Sequence, residues 1–251
     1  TDAPLPLPAE RYFAADWVKP EPVLAAVPGM HRWVWNLRRP RPAAAEYSYS
    51  IAAVWGLNTP LTPEGQLVDP GRYTAVLTVD GREQHASFDV VADPRVRNAD
   101  YRAATVFAES LYAPMAKAWR GYAETEAVRA ALGKRLPMLA DPTLRSEAQA
   151  LITRLKPSDE PNSGFKGDSG LLASLETSAE ESDAAPTPAM QAIAAETIAR
   201  VNADWAAWQQ VRGLELEQLN QRLRSGKFAP VLVPPENELR VEPPKGGTDL
   251  P

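Results

Sequence analysis

The side chains able to carry chemistry are few and scattered. The chain has two histidines, His31 and His85, and no cysteine. Disulfides, thiolate metal ligands and thiol nucleophiles are therefore excluded. The histidines share no H-E-x-x-H spacing, and no G-x-S-x-G, P-loop or EF-hand loop occurs. Acids fall in adjacent pairs, Asp159-Glu160 and Glu180-Glu181. Asp and Glu are rarely buried, so these read as solvated loop charges. Gly164, Gly167 and Gly170 form a loose G-x-x-G-x-x-G. A phosphate cradle needs a strand before such a run and a helix N-terminus after it. No strand pattern precedes this one, and 156–170 reads as a flexible loop. The residues point to no catalytic group, metal site or cofactor site.

The aromatic residues offer a different chemistry. Trp33 and Trp35 share one face of an alternating stretch, Tyr47 and Tyr49 share another, and Trp55 follows closely. Flat rings bind sugars and apolar ligands, and tryptophan is favoured at interfaces. Trp33, Trp35, Tyr47, Tyr49 and Trp55 are thus the candidate binding residues. Three roles stay open to them: core packing between sheet and helices, an interface with another domain, and a ligand platform.

Something must position these rings, and the clearest element is a hairpin over 70–95. Asp80-Gly81 supplies the two positive φ angles of a type I′ turn. A two-residue loop sets Val79 against Arg82, Leu77 against Gln84, Ala75 against Ala86 and Tyr73 against Phe88. Side chains alternate along a strand. One face then carries Tyr73, Ala75, Leu77, Ala86, Phe88 and Val90. The other carries Thr74, Thr78, Glu83, His85, Ser87 and Asp89. That pattern predicts a sheet covered on one side, with His85 on the wet face. Residues 31–38 alternate as a second strand, and 46–55 reads as a weaker strand or an irregular crossing. Residues 58–71 are turn chemistry throughout.

Near residue 97 the composition turns to Ala, Leu, Glu, Gln and Arg with a period near 3.6, which marks an α part after a β part. A first helix is expected from an Asn98 cap to Gly133, kinked at Pro114. A second covers 141–155, and a short one 171–178. The last starts at Thr187-Pro188 and ends at Gly226. Its seam is Met190, Ile193, Thr197, Val201, Trp205, Trp208, Arg212, Leu216, Leu219 and Leu223. Twenty-five prolines, about twice the usual ~5 %, gather at both ends. Those ends are expected to run extended or hang free. The expected layout is a Pro-rich lead-in at 1–30, a β module at 31–97, a helical bundle at 98–226 and a Pro-rich tail at 227–251.

The 44 % hydrophobic and 24 % charged content fits a soluble globular protein. No apolar run approaches the ~20 residues of a membrane span. A net charge of −5 disfavours a nucleic-acid partner.

Several stretches together resemble a known family. "PGMHRWVWNLRRPRP", "DPGRYTAVLTVDG", "FDVVADPRV" and "DAAPTPAM" occur in the order seen in the C-terminal region of bacterial sortilin-like, BNR-repeat β-propeller proteins, which are often labelled glycosyl hydrolases. The resemblance spans roughly residues 17–225. Asn36 departs from the family's usual Asp, and the "GFKGDSG" loop is unusual. The resemblance implies an Ig-like module followed by a helical bundle, in an exported protein whose propeller lies upstream. It implies no catalytic residue here, because the propeller's Asp-box repeats are absent from this chain.

The expected fold is α+β: a partial Ig-like antiparallel β-sandwich lacking upstream strands, then an antiparallel bundle of three main helices. The expected function is a noncatalytic accessory region of an exported, periplasmic or extracellular, propeller protein. Its expected partner is the upstream β-propeller domain. Two alternatives stand beside it. One is a carbohydrate- or peptide-binding module using the aromatic strip. The other is part of a glycosyl hydrolase whose catalytic propeller is elsewhere. The chain, beginning at Thr1 without Met or leader, reads as a fragment or processed product.

Overall fold

A computed structural model describes residues 14–18, 27–49, 61–96, 99–158, 160, 162–181 and 184–239. The chain is α+β, with helices dominant and two small antiparallel sheets.

The first helix, α1 (Tyr101–Arg135), is capped by Asp100, whose carboxylate accepts from the Ala103 N–H at 3.1 Å. The expected cap, Asn98, lies outside the described residues. The helix runs on through Pro114 and also passes Gly133, where a stop was expected. Val128 and Leu132 are buried on its last turns, and Lys134 and Arg135 suit the negative end of the helix dipole. Packing and charge carry the helix over a residue that merely permits an end.

Helix α2 (Pro142–Arg154) matches expectation. Asp141 caps it through the Thr143 N–H at 2.9 Å, and Leu144, Ala148 and Leu151 are buried.

Helix α3 (Gly164–Glu180) is longer than the short helix expected at 171–178 and begins inside the loop expected at 156–170. Three glycines lower its helix propensity, but tertiary burial overrides propensity. Its inner face buries Asp168, Leu172, Leu175, Glu176 and Ala179. Phe165 lies over Gly121 of α1, where a Cβ would come within 2.5 Å of the ring. The bundle therefore has a further principal helix beyond the three expected.

Thr187 caps α4 (Pro188–Gln210) through the Met190 N–H at 3.2 Å, with Pro188 in the first turn. A π-helical segment, Val211–Glu215, joins it without a break to α5 (Leu216–Ser225). The wider turn re-phases the seam. Val211 is buried in place of Arg212, and Leu216, Leu219 and Leu223 follow on the inner face. Arg212 moves to the margin, 3.5 Å from Glu124. Ile193, expected on the seam, is 43 % exposed, and Ala194 is buried instead.

The helices enclose two apolar clusters. One joins the C-terminal half of α1 to α2, α5 and the π segment; the other joins the N-terminal half of α1 to α3 and α4. The start of the Pro-rich tail is pinned to α5. Asn220 exchanges two hydrogen bonds with the buried backbone of Val231, at 2.7 and 2.9 Å.

The β part departs further from expectation. Strand β1 (Ser48–Tyr49) pairs with β2 (Leu61–Thr62), and β3 (Gly71–Val79) pairs with β4 (Arg82–Val90), both antiparallel. The hairpin register is the expected one, with Tyr73 opposite Phe88 and Val79 opposite Arg82. Asp80 and Gly81 have φ of 49° and 75°. Residues 31–36, however, form no strand. Leu37 has φ 64°, and the Asn36 side chain accepts from the Arg38 N–H at 3.0 Å. This local side-chain bond turns the backbone and competes with a ladder. Only an isolated bridge, Arg38 to Leu67, remains. Among the described residues no third strand joins β3 and β4, and their sheet stays two-stranded.

Candidate functional site

The β3–β4 ribbon exposes the face that the sequence assigned to a core. Leu77 is 49 % exposed, Val79 55 % and Phe88 38 %. The cover over this face is limited because the segment before it is no strand. Among the described residues Trp35 folds back, meeting Tyr73 and Phe88 edge-on at ring-centroid distances of 5.6 and 6.0 Å. Its indole N–H donates to the Arg38 carbonyl at 2.8 Å, which fixes the ring. His85 lies on the wet face as expected, 3.4 Å from Glu83.

The candidate binding residues therefore separate. Trp33 is half-exposed and Trp35 partly buried on the ribbon. Tyr47 and Tyr49 are buried in the cluster of α1, α3 and α4. The Tyr47 hydroxyl donates to the Pro42 carbonyl at 2.5 Å, and burial raises its pKa above the ordinary value. Trp55 lies outside the described residues. No continuous aromatic strip unites the four described rings, because 42–49 packs into the helices while 33–35 follows the hairpin.

The root of the ribbon is fastened by a polar cluster that the sequence did not reveal. Glu180, expected in solvent, closes α3. Its two oxygens accept from the Arg38 guanidinium at 2.7 Å and the Leu67 N–H at 2.6 Å. Arg38 also donates to the Gly65 carbonyl at 2.8 Å and pairs with Glu64 at 3.2 Å. The Gln66 N–H donates to the Tyr112 hydroxyl at 2.6 Å, and its side-chain amide donates to the Thr105 carbonyl at 2.8 Å. One turn before Glu180, Glu176 is 1 % exposed. Burial pushes its pKa up to about 8, with the charges of Glu180 and Glu64 adding to the rise and Arg38 opposing it. Oε1 of Glu176 and Oε1 of Gln66 are buried without a hydrogen-bond partner. Tyr112 is pushed up to about 12, chiefly by burial.

Two other buried acids serve the bundle. Glu124 accepts from Arg120 at 2.8 Å and from the Trp208 indole at 2.7 Å. Asp168 accepts from Arg200 at 2.8 and 3.1 Å, and burial raises its pKa. A cavity of about 680 Å³ opens between the end of α2, the start of α3 and α4. Gly164, Gly167 and Gly170 line it, and Lys166 pairs with Glu46 at 3.1 Å beside it. No group of three or more His, Asp or Glu able to hold a metal ion occurs among the described residues. No helix among them is long and apolar enough to cross a membrane.

The overlooked residues left one signal. Asp168, Leu172, Glu176 and Glu180 recur every four residues, so three acids occupy a stripe that also carries leucine. Reading 156–170 as loop hid that stripe. No protein-family model, curated protein or solved structure matches this chain.

Proposed function

We propose that this chain is a noncatalytic accessory region of an exported BNR-type β-propeller protein. The bundle presents the β3–β4 ribbon, and the ribbon belongs to an Ig-like sheet whose remaining strands come from elsewhere in the parent protein. The observation that supports this is the ribbon's apolar face, left partly exposed by the described residues, beside its fastened root. A two-stranded hairpin alone is marginal in water. Here nine-residue strands expose Leu77, Val79 and Phe88 while Arg38, Gln66 and Glu180 hold their base in place. The partner surface is accordingly β-rich and apolar, and the chain's role is to dock and brace rather than to catalyse.

A second reading, an aromatic surface for carbohydrate or peptide, draws on half-exposed Trp33 beside Trp35. Burial of Tyr47 and Tyr49 leaves it only that pair among the described candidates.

The test compares this chain with the same protein extended by whatever its gene encodes upstream. Docking predicts that the extension quenches binding of a hydrophobic dye and protects the β3 and β4 amides from exchange. Equal dye binding and equal exchange in the two proteins would end the proposal.

A further inference from the structure

The ribbon has two open edges, and they differ in a way that identifies an occupant. In a hairpin closed by a two-residue turn, Val79 and Arg82 exchange backbone hydrogen bonds, and every second pair does likewise. Tyr73, Ala75, Leu77 and Val79 thus bond inward to β4. Arg72, Thr74, Val76 and Thr78 turn their N–H and C=O groups outward. On β4 the outward set is Glu83, His85, Ser87 and Asp89. All eight outward residues are exposed, and neither strand has a second neighbour among the described residues.

Pairing each edge with a copy of itself separates them. Antiparallel pairing of β3 about a two-fold axis at Val76 sets Val76 against Val76 and Thr74 against Thr78. On the apolar face it sets Ala75 against Leu77 and Tyr73 against Val79. At each end Arg72 of one copy stands opposite Asp80 of the other. The strand pairs are β-branched on β-branched, Thr on Thr, aromatic on aliphatic and small on aliphatic, the turn residue Asp80 adds an opposite charge at each end, and no like charges stand opposite. The full-length self-pairing of β4 instead sets Glu83 against Asp89 twice, and like charges directly opposite repel. Natural edges are often guarded by charge. In its full-length register β4 is guarded by Glu83 and Asp89, whereas β3 carries a single outward charge, Arg72.

We propose that β3 is a self-complementary edge. Through it two copies of this chain join in a four-stranded antiparallel sheet, ordered β4–β3–β3–β4. The pairing needs only groups present in this chain, and it leaves the β4 edge and the apolar face to the sheet that the accessory reading supplies. Antiparallel geometry sends the two helical bundles to opposite ends of the shared sheet.

Sedimentation equilibrium on the full chain at rising concentration reads the association directly. The wild-type chain is expected to dimerise. Val76→Pro removes one outward N–H while sparing the inward bonds of the hairpin. It should raise the dimer dissociation constant at least about tenfold, the equivalent of ~1.4 kcal/mol. His85→Pro, the matching change on β4, should leave it unaltered. Arg72→Asp and Asp80→Arg should each weaken self-association. Mixed one to one, they should form a heterodimer, because both end pairs are then again opposite in charge. Exchange protection of the inward Ala75 and Leu77 amides checks that each variant keeps its hairpin. A wild-type chain that stays monomeric overturns the proposal. So does a dimer disrupted by His85→Pro but not by Val76→Pro, or a charge-swapped mixture that fails to pair.

Discussion

Replacing Glu176 by Gln should make the protein more stable at alkaline pH and little different at pH 5. In the folded chain the carboxyl keeps its proton up to about pH 8, against an ordinary 4.5. Burial is the main cause, and Glu180 and Glu64 add repulsion that Arg38 only partly offsets. Between those two values the unfolded chain gives up the proton and the folded chain holds it. The folded state therefore binds more protons, and stability falls as pH rises through this window. Below about 4.5 both states are protonated. Above about 8 both are ionised, and the penalty is fully present. The gap from 4.5 to about 8 corresponds to on the order of 5 kcal/mol, at ~1.36 kcal/mol per tenfold change in proton affinity. Relaxation and water penetration around a buried charge reduce the realised cost, so about 2–5 kcal/mol is the expected gain for Glu176→Gln at pH 8.5. At pH 5 the amide replaces a mostly protonated acid of the same shape, and the two proteins should agree within about 1 kcal/mol. Urea midpoints for both proteins at pH 5, 7 and 8.5 provide the measurement. The remaining acids, including Asp168 and Asp204 with their own raised values, are common to both, so the difference isolates Glu176. Parallel pH profiles would refute the reasoning. So would a variant less stable at pH 8.5, since it would mean that the carboxylate is needed in its charged form.

Two further predictions use the same denaturation assay. Phe88→Ala should cost only about 1 kcal/mol, because the ring is more than one-third exposed, whereas fully buried Met115→Ala should cost about 2–5 kcal/mol; equal losses would mean that Phe88 is covered in solution. Gly133→Ala should stabilise α1 by about 0.5–1 kcal/mol, since its Cβ would enter open space, while Gly121→Ala should cost about 1–3 kcal/mol by pushing on Phe165.

Local chemistry was legible wherever a few adjacent residues decide the outcome. Asp80-Gly81 fixes the β3–β4 register, Thr187-Pro188 starts α4, and Asp141 and Pro142 start α2. Most of what was hidden depends on distant partners; the break near residue 37 is local but looks like plain alternation by residue type. Alternation at 31–38 looks like a strand, but the Asn36 bond to Arg38 and the turn at Leu37 end it. The glycines of α3 look like a loop until Phe165 is seen against Gly121. Glu176 and Glu180 are ordinary surface residues by type. Only the fold brings Arg38, Glu64 and Gln66 beside them. Tyr47 and Tyr49, read together with Trp33 and Trp35, part from them because 42–49 follows the helices and 33–35 the hairpin.

The π segment at Val211–Glu215 also bears on chain length. Five positions separate Val211 from Leu216, where ordinary winding would use four, and both side chains still face the apolar core. The rod from Pro188 to Ser225 holds one residue more than α-helical winding needs at that point. Removing Gly213 would restore the four-residue step and leave both inner faces aligned. Removing Ala206, outside the wide turn, would rotate every later leucine by about 100°. Far-ultraviolet melting of the two deletions should show the first near wild type and the second destabilised. The rod thus has a place where its length changes by one without turning its far end away from α2, and a one-residue register fault arising there would be absorbed locally.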